Sequence, residues 1–476
     1  MIRFGTGGWR AVIGKDFTCD NVRSVAGGLC KLIREDPAPH QPVVIGYDRR
    51  FLSLEASKWV AEVLAANGIP VLCLKRSAPT PLIMYLVKTM GLSWGIQVTA
   101  SHNPAIYNGI KLIVREGRDA PIEITDKLEA AIQDDPGIFH IPFEEAAANG
   151  LVRFLRNPFN GFIDDIIRII DMEKIREAGP RILFDSMHGS GSYPLMTVLY
   201  TARCTMDWIN GNRDAYFGGV MPAPSFHSLS ELLRRVPAEG YDLGIAMDGD
   251  GDRLGIIDGN GSFVSANEIL VLLYYYLHEH KGWRGPVVRN VLTTHLLDRM
   301  AHDFGEECFE VPVGFKYISS MLDETNAVLG GESSGGLTVR GYIHGKDSIY
   351  AASLFVEMIS ALNKTPAELL GELYLKYGKS CWMEESHTVS PDQIVILIDE
   401  LANMSMLPEI KMKIKSVSHI DGCKILFEDG SFAAARLSGT EPLLRIVAEA
   451  GSKEQVDSYL DAVRKQLVLS CQIVSQ

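Results

Sequence analysis

An alternation of short apolar runs with amphipathic helical patterns constrains this chain more than any other feature of its sequence. "PVVIGYD" (42–48) leads into "SLEASKWVAEVLAANG" (53–68), "RILFDSMHGSG" (181–191) into "YPLMTVLYTA" (193–202), and "PVVRNVLTT" (286–294) into "HLLDRMAHDFG" (295–305). Strand then helix, repeated, predicts βαβ units with parallel sheets. The long spacing between repeats points to several related α/β domains rather than a solenoid. At 476 residues the chain exceeds the size at which one core keeps growing, so two to four domains are expected.

After about residue 373 the texture changes. "QIVILIDELANM" (393–404) reads as a helix, "IDGCKILFEDGSFAAARLSGTEPLLRIVAEA" (420–450) as a hairpin turned at Asp429-Gly430 plus a further strand, and "SKEQVDSYLDAVRKQLVLS" (452–470) as a closing helix. A smaller antiparallel α+β domain is expected there. Divisions near residues 150, 258 and 373 give segments 1–150, 151–258, 259–373 and 374–476.

Several function classes are disfavoured at once. A net charge of -13 opposes nonspecific nucleic-acid binding, so any anion must be held by a local basic site. No apolar run reaches the roughly 18 residues that span a bilayer. "MIRFGTGG" lacks the basic flank and apolar core of a signal peptide, and the eight cysteines form no CxxC pair. A cytoplasmic protein with reduced thiols and no membrane partner is expected.

The sharpest chemical signal is "MDGDGDRLG" (247–255), where Asp248, Asp250 and Asp252 alternate with glycines after the strand-like "YDLGIA". Three carboxylates can turn toward one hard cation while the glycines permit a tight loop. An EF-hand is ruled out, because its sixth position would be Arg253 rather than glycine and its twelfth Gly259 rather than glutamate. A solvated acidic turn is the plain alternative, but three acids beside Arg253 favour Mg²⁺ next to a bound phosphate, which needs both partners.

"ARLSGTEPLLR" (435–445) sets Arg436 and Arg445 on either side of Ser438-Gly439-Thr440. Two guanidinium forks, two hydroxyls and the N–H groups of a glycine turn suit a dianion, against the alternative of a hairpin with solvent-facing arginines. "YGKS" is no Walker loop, since Leu373 stands where glycine is required. In "GGESSGG" (330–336), Glu332 and Ser334 suit sugar hydroxyls, with a flexible linker as the alternative. Ser101 in "TASHNP" (99–104) then has a context. It lacks the GxSxG elbow of hydrolases, a helix N-cap is its plain reading, and His102 is not an obvious base because adjacent side chains diverge. Together with a metal loop, a dianion clamp and a polyol loop, however, a serine can carry a phosphoryl group.

Read end to end, the chain resembles the α-D-phosphohexomutase superfamily through "FGTGGWR" (4–10), "GYDRRFLS" (46–53), "TASHNP", "NGIKL" (108–112), "DGDGDR", "VGFKYI" (313–318), "GGESSGG" and "RLSGTEP", all in the family's order. The resemblance implies four domains around a central cleft, three related mixed α/β units and a C-terminal TATA-binding-like α+β domain. It further implies that Ser101 is the phosphoserine and that Asp248, Asp250 and Asp252, with the Ser101 phosphate, hold Mg²⁺. Arg10, His102 and Lys111 match positions lining the reacting centre, with Lys111 favoured for proton transfer. Arg253, Lys316, Glu332, Ser334 and His344 fall to substrate binding, and Arg436, Ser438, Gly439, Thr440 and Arg445 to the phosphate that does not react. Two departures lie near the sugar: Tyr342 in "GYIHGKDS" (341–348) stands where many relatives have histidine, and Ser333 replaces a glutamate.

The resemblance thus implies reversible transfer of phosphate between C1 and C6 of a glucose or mannose phosphate through a hexose 1,6-bisphosphate. The small hexose phosphate is the partner, and the protein itself is expected as a monomer or homodimer. A phosphoglucosamine mutase, a phosphosugar phosphatase and a non-catalytic sensor are the alternatives.

Overall fold

The computed structural model describes residues 2–5, 7–36, 41–133, 138–403, 410–439 and 442–471, and the chain divides into two compact units. One comprises Met1–Ile269 with Ser334–Ala367, the other Leu270–Ser333 with Glu368–Gln476.

The first unit contains two sheets. The larger runs in the order Phe4–Gly5, Gly8–Val12, Tyr107–Val114, Trp94–Val98, Val43–Tyr47, Val71–Cys73 and Val152–Phe154, with Arg118–Asp119 paired to Tyr107–Val114. From Trp94–Val98 to Val152–Phe154 the neighbours are parallel, as the strand–helix alternation predicts. The remaining neighbours are antiparallel. Chain length explains the change of direction. Only residues 99–106 separate Trp94–Val98 from Tyr107–Val114, too few for the dozen or so that a parallel crossover needs. The serine segment therefore tops a hairpin.

Val43–Tyr47 is buried along its whole length, as a strand covered on both faces should be. Helix Thr80–Thr89 packs so closely over this sheet that a Cβ on Gly46 would stand 2.4 Å from Ile83 Cδ1, and one on Gly95 2.5 Å from Val87 Cγ2.

The second sheet runs Thr205–Ile209, Arg181–Asp185, Leu243–Met247, Leu254–Asp258 and Phe263–Val264, parallel across the first three and antiparallel thereafter. Each sheet's final strand, Val152–Phe154 and Phe263–Val264, falls a few residues past the divisions expected at 150 and 258. The unit is completed by helix Ser348–Leu362, capped by Asp347, whose Oδ1 accepts from the N–H groups of Ile349 at 2.8 Å and Tyr350 at 3.1 Å.

In the second unit, Cys308–Val311, Val287–Asn290 and Leu329–Gly331 are parallel neighbours. A five-stranded antiparallel sheet follows, ordered Cys381–Thr388, Leu443–Ala450, Phe432–Leu437, Cys423–Phe427 and Ile414–Ser418. The turn at Asp429-Gly430 is where the sequence places it, with Gly430 at φ 83°. Helices Pro391–Asn403 and Lys453–Cys471 cover one face through Leu397, Leu401, Val456, Leu460 and Val463. Strands Cys381–Thr388 and Ile414–Ser418 have no counterpart in the sequence reading, and Met404 of the expected helix lies outside the described residues. The seven cysteines whose side chains are described are free thiols. Among the described residues no helix is long and apolar enough to cross a membrane.

Candidate active site

Ser101 sits in the hairpin loop at φ 51°, buried to 1% exposure. That conformation is uncommon for a residue with a side chain and persists only where its surroundings impose it. Arg50 imposes it here. From a fully buried position its Nη2 donates to the carbonyls of Ser101 and Asn103, both at 2.6 Å, and its Nη1 to those of Pro104 at 2.9 Å and Tyr107 at 3.0 Å. Asp48 lies 3.3 Å from Arg50 Nε and accepts from Ser53 Oγ at 2.6 Å and Thr99 Oγ1 at 2.7 Å; Thr99 in turn accepts from Ser101 N at 2.8 Å. "GYDRR" is thus the support of the serine loop.

The aspartate loop joins the antiparallel strands Leu243–Met247 and Leu254–Asp258. Gly251 takes φ 70°, and a Cβ on Gly249 would stand 2.8 Å from the Ser101 carbonyl oxygen. The alternating glycines therefore both turn the loop and admit the serine loop beside it. Ser101 Oγ donates to Asp248 Oδ2 at 3.0 Å. Asp248 Oδ1 accepts from the backbone N–H groups of Asp252 at 2.9 Å and Arg253 at 3.1 Å.

Asp248, Asp250 and Asp252 are each buried to 1% exposure or less, with one oxygen apiece inside a 4.8 Å span. Lys111 Nζ donates to Asp250 at 2.7 Å and Asp252 at 2.6 Å, Thr80 Oγ1 to Asp250 at 2.5 Å, and Lys346 Nζ lies 3.2 Å from Asp252. Even so, the Oδ1 atoms of Asp250 and Asp252 are buried without a hydrogen-bond partner. Buried carboxylate oxygens left open in an all-oxygen cluster fit a hard divalent cation.

The charges sort the residues by role. Burial, then Asp252 and Asp250, pushes the Asp248 carboxyl well above the usual range. Burial also works against ionisation of Asp252, yet Lys111, Lys346 and Arg253 outweigh it and hold that carboxyl well below the usual range. Burial works against the Lys111 ammonium, but Asp250, Asp252 and Asp119 more than offset it, so Lys111 is a fixed cation. His102 is driven well below its ordinary value by burial, with Arg253 and Arg10 adding to it, and its Nδ1 lies 3.4 Å from Ser101 Oγ. Contrary to the expectation from adjacency, the two side chains meet, while Lys111 is engaged with Asp250 and Asp252.

Arg10 and Lys111 lie on adjacent strands, Arg10 opposite Gly109, so both belong to the end of the sheet that carries the serine loop. Arg253 Nε stands 4.0 Å from Asp252 Oδ1. Ser334 precedes Gly335, whose carbonyl accepts from Leu254 N at 3.2 Å and ties this segment to the strand after the aspartate loop. His344 is half-buried between buried Tyr342 and Lys346.

In the second unit, buried Glu332 accepts through Oε1 from Asn290 Nδ2 and Gly314 N, both at 3.1 Å. Lys316, in helix Phe315–Thr325, places Nζ 5.2 Å over the Tyr317 ring. Arg436 and Arg445 are register partners across an antiparallel pair, so their side chains share a face. Arg436 Nε donates to Asp421 at 3.0 Å and Arg445 Nη1 to Glu384 at 3.1 Å. Ser438 N donates to Leu443 O at 2.8 Å, exposed Gly439 follows, and Thr440 lies outside the described residues. Sequence reasoning missed Lys346, Thr80, Asp48 and Arg50; the repeated charges of "GYDRR" were the one available signal.

Comparison with known proteins assigns this geometry to a lineage. The chain matches the four models of phosphoglucomutase/phosphomannomutase: alpha/beta/alpha domain I over residues 1–136, domain II over 160–261, domain III over 265–377 and the C-terminal domain over 396–466. A phosphoglucomutase/phosphomannomutase of Thermococcus kodakarensis is 29% identical, with 96% of each chain covered. A probable phosphoglucosamine mutase of Pyrococcus abyssi is 30% identical, with 97% of each covered. The crystal structure of a putative phosphomannomutase from Thermus thermophilus superposes with a TM-score of 0.85 at 28% identity, covering 98% of both chains. With all four domains present in order, the chain belongs to the phosphoglucomutase/phosphomannomutase family of the α-D-phosphohexomutase superfamily.

Proposed function

We propose that this phosphohexomutase reversibly transfers phosphate between C1 and C6 of glucose or mannose phosphates through phosphorylated Ser101 and a hexose 1,6-bisphosphate. The observation that carries the reading is Ser101 Oγ held 3.0 Å from Asp248 at the edge of a buried three-carboxylate cluster. Asp248, Asp250 and Asp252 would hold Mg²⁺ together with an oxygen of the Ser101 phosphate, and the bound ion supplies neutralisation of phosphoryl charge.

In the transfer, the sugar hydroxyl oxygen bonds phosphorus as the P–Oγ bond of Ser101 breaks, and the hydroxyl proton ends on Oγ. His102, neutral and 3.4 Å from Oγ, is placed to relay that proton. Lys111, Lys346, Arg10 and Arg253 supply fixed positive charge, which suits a reaction whose catalysis is mostly positioning and electrostatics. Glu332, Ser334, Lys316 and His344 are assigned to the sugar, and Arg436, Ser438, Gly439, Thr440 and Arg445 to the resting phosphate. Divisions near 150, 258 and 373, a cytoplasmic setting, and a monomer or homodimer belong to the same reading.

Glucosamine phosphate is the second reading, supported by relatives that carry the name phosphoglucosamine mutase, among them those of Sulfurisphaera tokodaii and Pyrococcus abyssi. A coupled assay over glucose, mannose and glucosamine 1-phosphates, with bisphosphate activator, tests both. Isomerised sugar phosphate is expected. Free phosphate alone would make the protein a phosphatase, and no turnover a sensor.

A further inference from the structure

The second unit holds a cavity of about 390 Å³ lined by Arg289, His295, Arg299, Lys415 and Lys424, with Asp298 and Glu310 as its carboxylates. None of these residues belongs to the aspartate loop, the sugar loop or the Arg436 turn. The cavity is framed by strand Val287–Asn290 and helix Leu296–Phe304 on one side, and by the hairpin of Ile414–Ser418 and Cys423–Phe427 on the other.

Its hydrogen bonds are unevenly shared. Asp298 accepts from Arg289 Nε at 2.6 Å and Nη2 at 2.7 Å. Glu310 accepts from Arg289 Nη1 at 2.5 Å and from Lys424 Nζ, which also donates to the Val291 carbonyl at 2.7 Å. Arg289 and Lys424 thus take up both carboxylates, and this half of the network is structural.

The other half has donors without acceptors. Arg299 Nε and Nη2 are buried with no hydrogen-bond partner. So is His295 Nε2, on a residue 8% exposed whose ring rests 4.8 Å from that of Phe432; the nearest carboxylate oxygen, on Glu310, is 3.8 Å away. Burial, reinforced by Arg289, Lys424 and Arg299, holds this imidazole well below its ordinary value, and the Nε2–H tautomer of the neutral ring offers one N–H donor to the cavity. Exposed Lys415 adds a cation at the mouth. Buried donors left open are costly, and a cavity that gathers them beside surplus positive charge is built for an anion.

We propose that this cavity is a second anion site, which takes a compact phosphate-type anion on Arg299 and His295 with Lys415 closing it from outside. A guanidinium edge beside an imidazole N–H matches the several acceptor oxygens of a phosphate better than the two of a carboxylate. The volume leaves room for a small organic group on that phosphate. An occupant would bridge the helix and the hairpin, and the same hairpin carries Asp421, the partner of Arg436.

Calorimetric titration of the full chain with inorganic phosphate tests the proposal, in an Arg436→Gln background that suppresses binding at the clamp. A phosphate-binding component is expected to remain, and to weaken about tenfold or more in Arg299→Gln and in Lys415→Gln. Lys415 is exposed, so that variant folds even where Arg299→Gln does not, and circular dichroism checks both. Unchanged phosphate affinity in Lys415→Gln and in folded Arg299→Gln overturns the proposal. So does a component that chloride at equal ionic strength removes as well as phosphate does, which would mark an adventitious ion only.

Discussion

Lys346 Nζ stands 3.2 Å from Asp252 Oδ2, and the space for its stem is provided by Gly336, where a Cβ would come within 2.1 Å of Lys346 Cδ. The last glycine of "GGESSGG" therefore admits a cation to the aspartate cluster. Lys346→Met is expected to lower kcat by about 10–100-fold with little change in Tm, as for other residues that orient a ligand set. Gly336→Ala is expected to move kcat in the same direction by displacing that side chain. Steady-state kinetics on both variants checks this, and wild-type kcat in Lys346→Met would remove Lys346 from the site.

Ser101 is expected to carry phosphate in the resting protein. Intact-protein mass spectrometry should show one added phosphoryl group in part of the population, absent in Ser101→Ala, which should also lose mutase activity. Near-normal activity in Ser101→Ala would refute the covalent route.

Asp250 combines a partnered oxygen, bound to Lys111 and Thr80, with an open one. Asp250→Asn keeps the shape, removes one charge from the cation site and leaves Lys111 under-neutralised, so activity should fall steeply while the fold survives. Mg²⁺ titration followed by activity and by thermal shift should show weakened metal binding. Full activity in excess chelator would place the metal elsewhere.

Asp347 sets a pH dependence of stability. Burial raises its carboxyl to about 7 in the folded protein, against the lowering effect of the Tyr350 and Ile349 N–H groups. Between the ordinary carboxylate value of about 4 and about 7, the folded state binds more proton than the unfolded, so this group's stabilising contribution is lost as pH rises through that window. Asp347→Asn retains a capping oxygen and removes the titration. Urea midpoints at pH 5 and pH 8 should differ less in the variant than in the wild type.

Arg436 and Glu332 should separate phosphate recognition from sugar recognition. Arg436→Ala is expected to raise KM for glucose and mannose phosphates alike, because a guanidinium reads the dianion and not the sugar that bears it. Glu332→Gln should change both kcat and KM, unequally between sugars, since the loss of a buried acceptor depends on which hydroxyl it served. The opposite pattern on two hexose 1-phosphates would exchange the two assignments.

The parts that were legible in the sequence are those written as local patterns. The aspartate loop declares itself by alternating acids and glycines, the Arg436 turn by paired arginines around Ser-Gly-Thr, and the parallel strands by the helices that follow them. Strand direction was not legible where no helix intervened, so the hairpin that lifts Ser101 emerged only from pairing. Lys346 and Thr80 were invisible for a different reason. Each is a single ordinary residue far along the chain from Asp252 and Asp250, and only tertiary packing puts them within reach. The relation of His102 to Ser101 also depended on backbone shape, because the left-handed turn at Ser101 brings together two neighbours that an extended chain would send apart.

Four carbonyl oxygens converging on the Arg50 guanidinium leave the serine loop almost nothing to gain by rearranging. Opening it would strand a buried cation and four acceptors at once. Under the proposed function the phosphoryl donor would consequently be a stationary point of the cycle, the same before and after it gave up its cargo. Any reorientation that the proposed reaction requires to present both ends of a sugar to Ser101 would then have to be performed by the sugar.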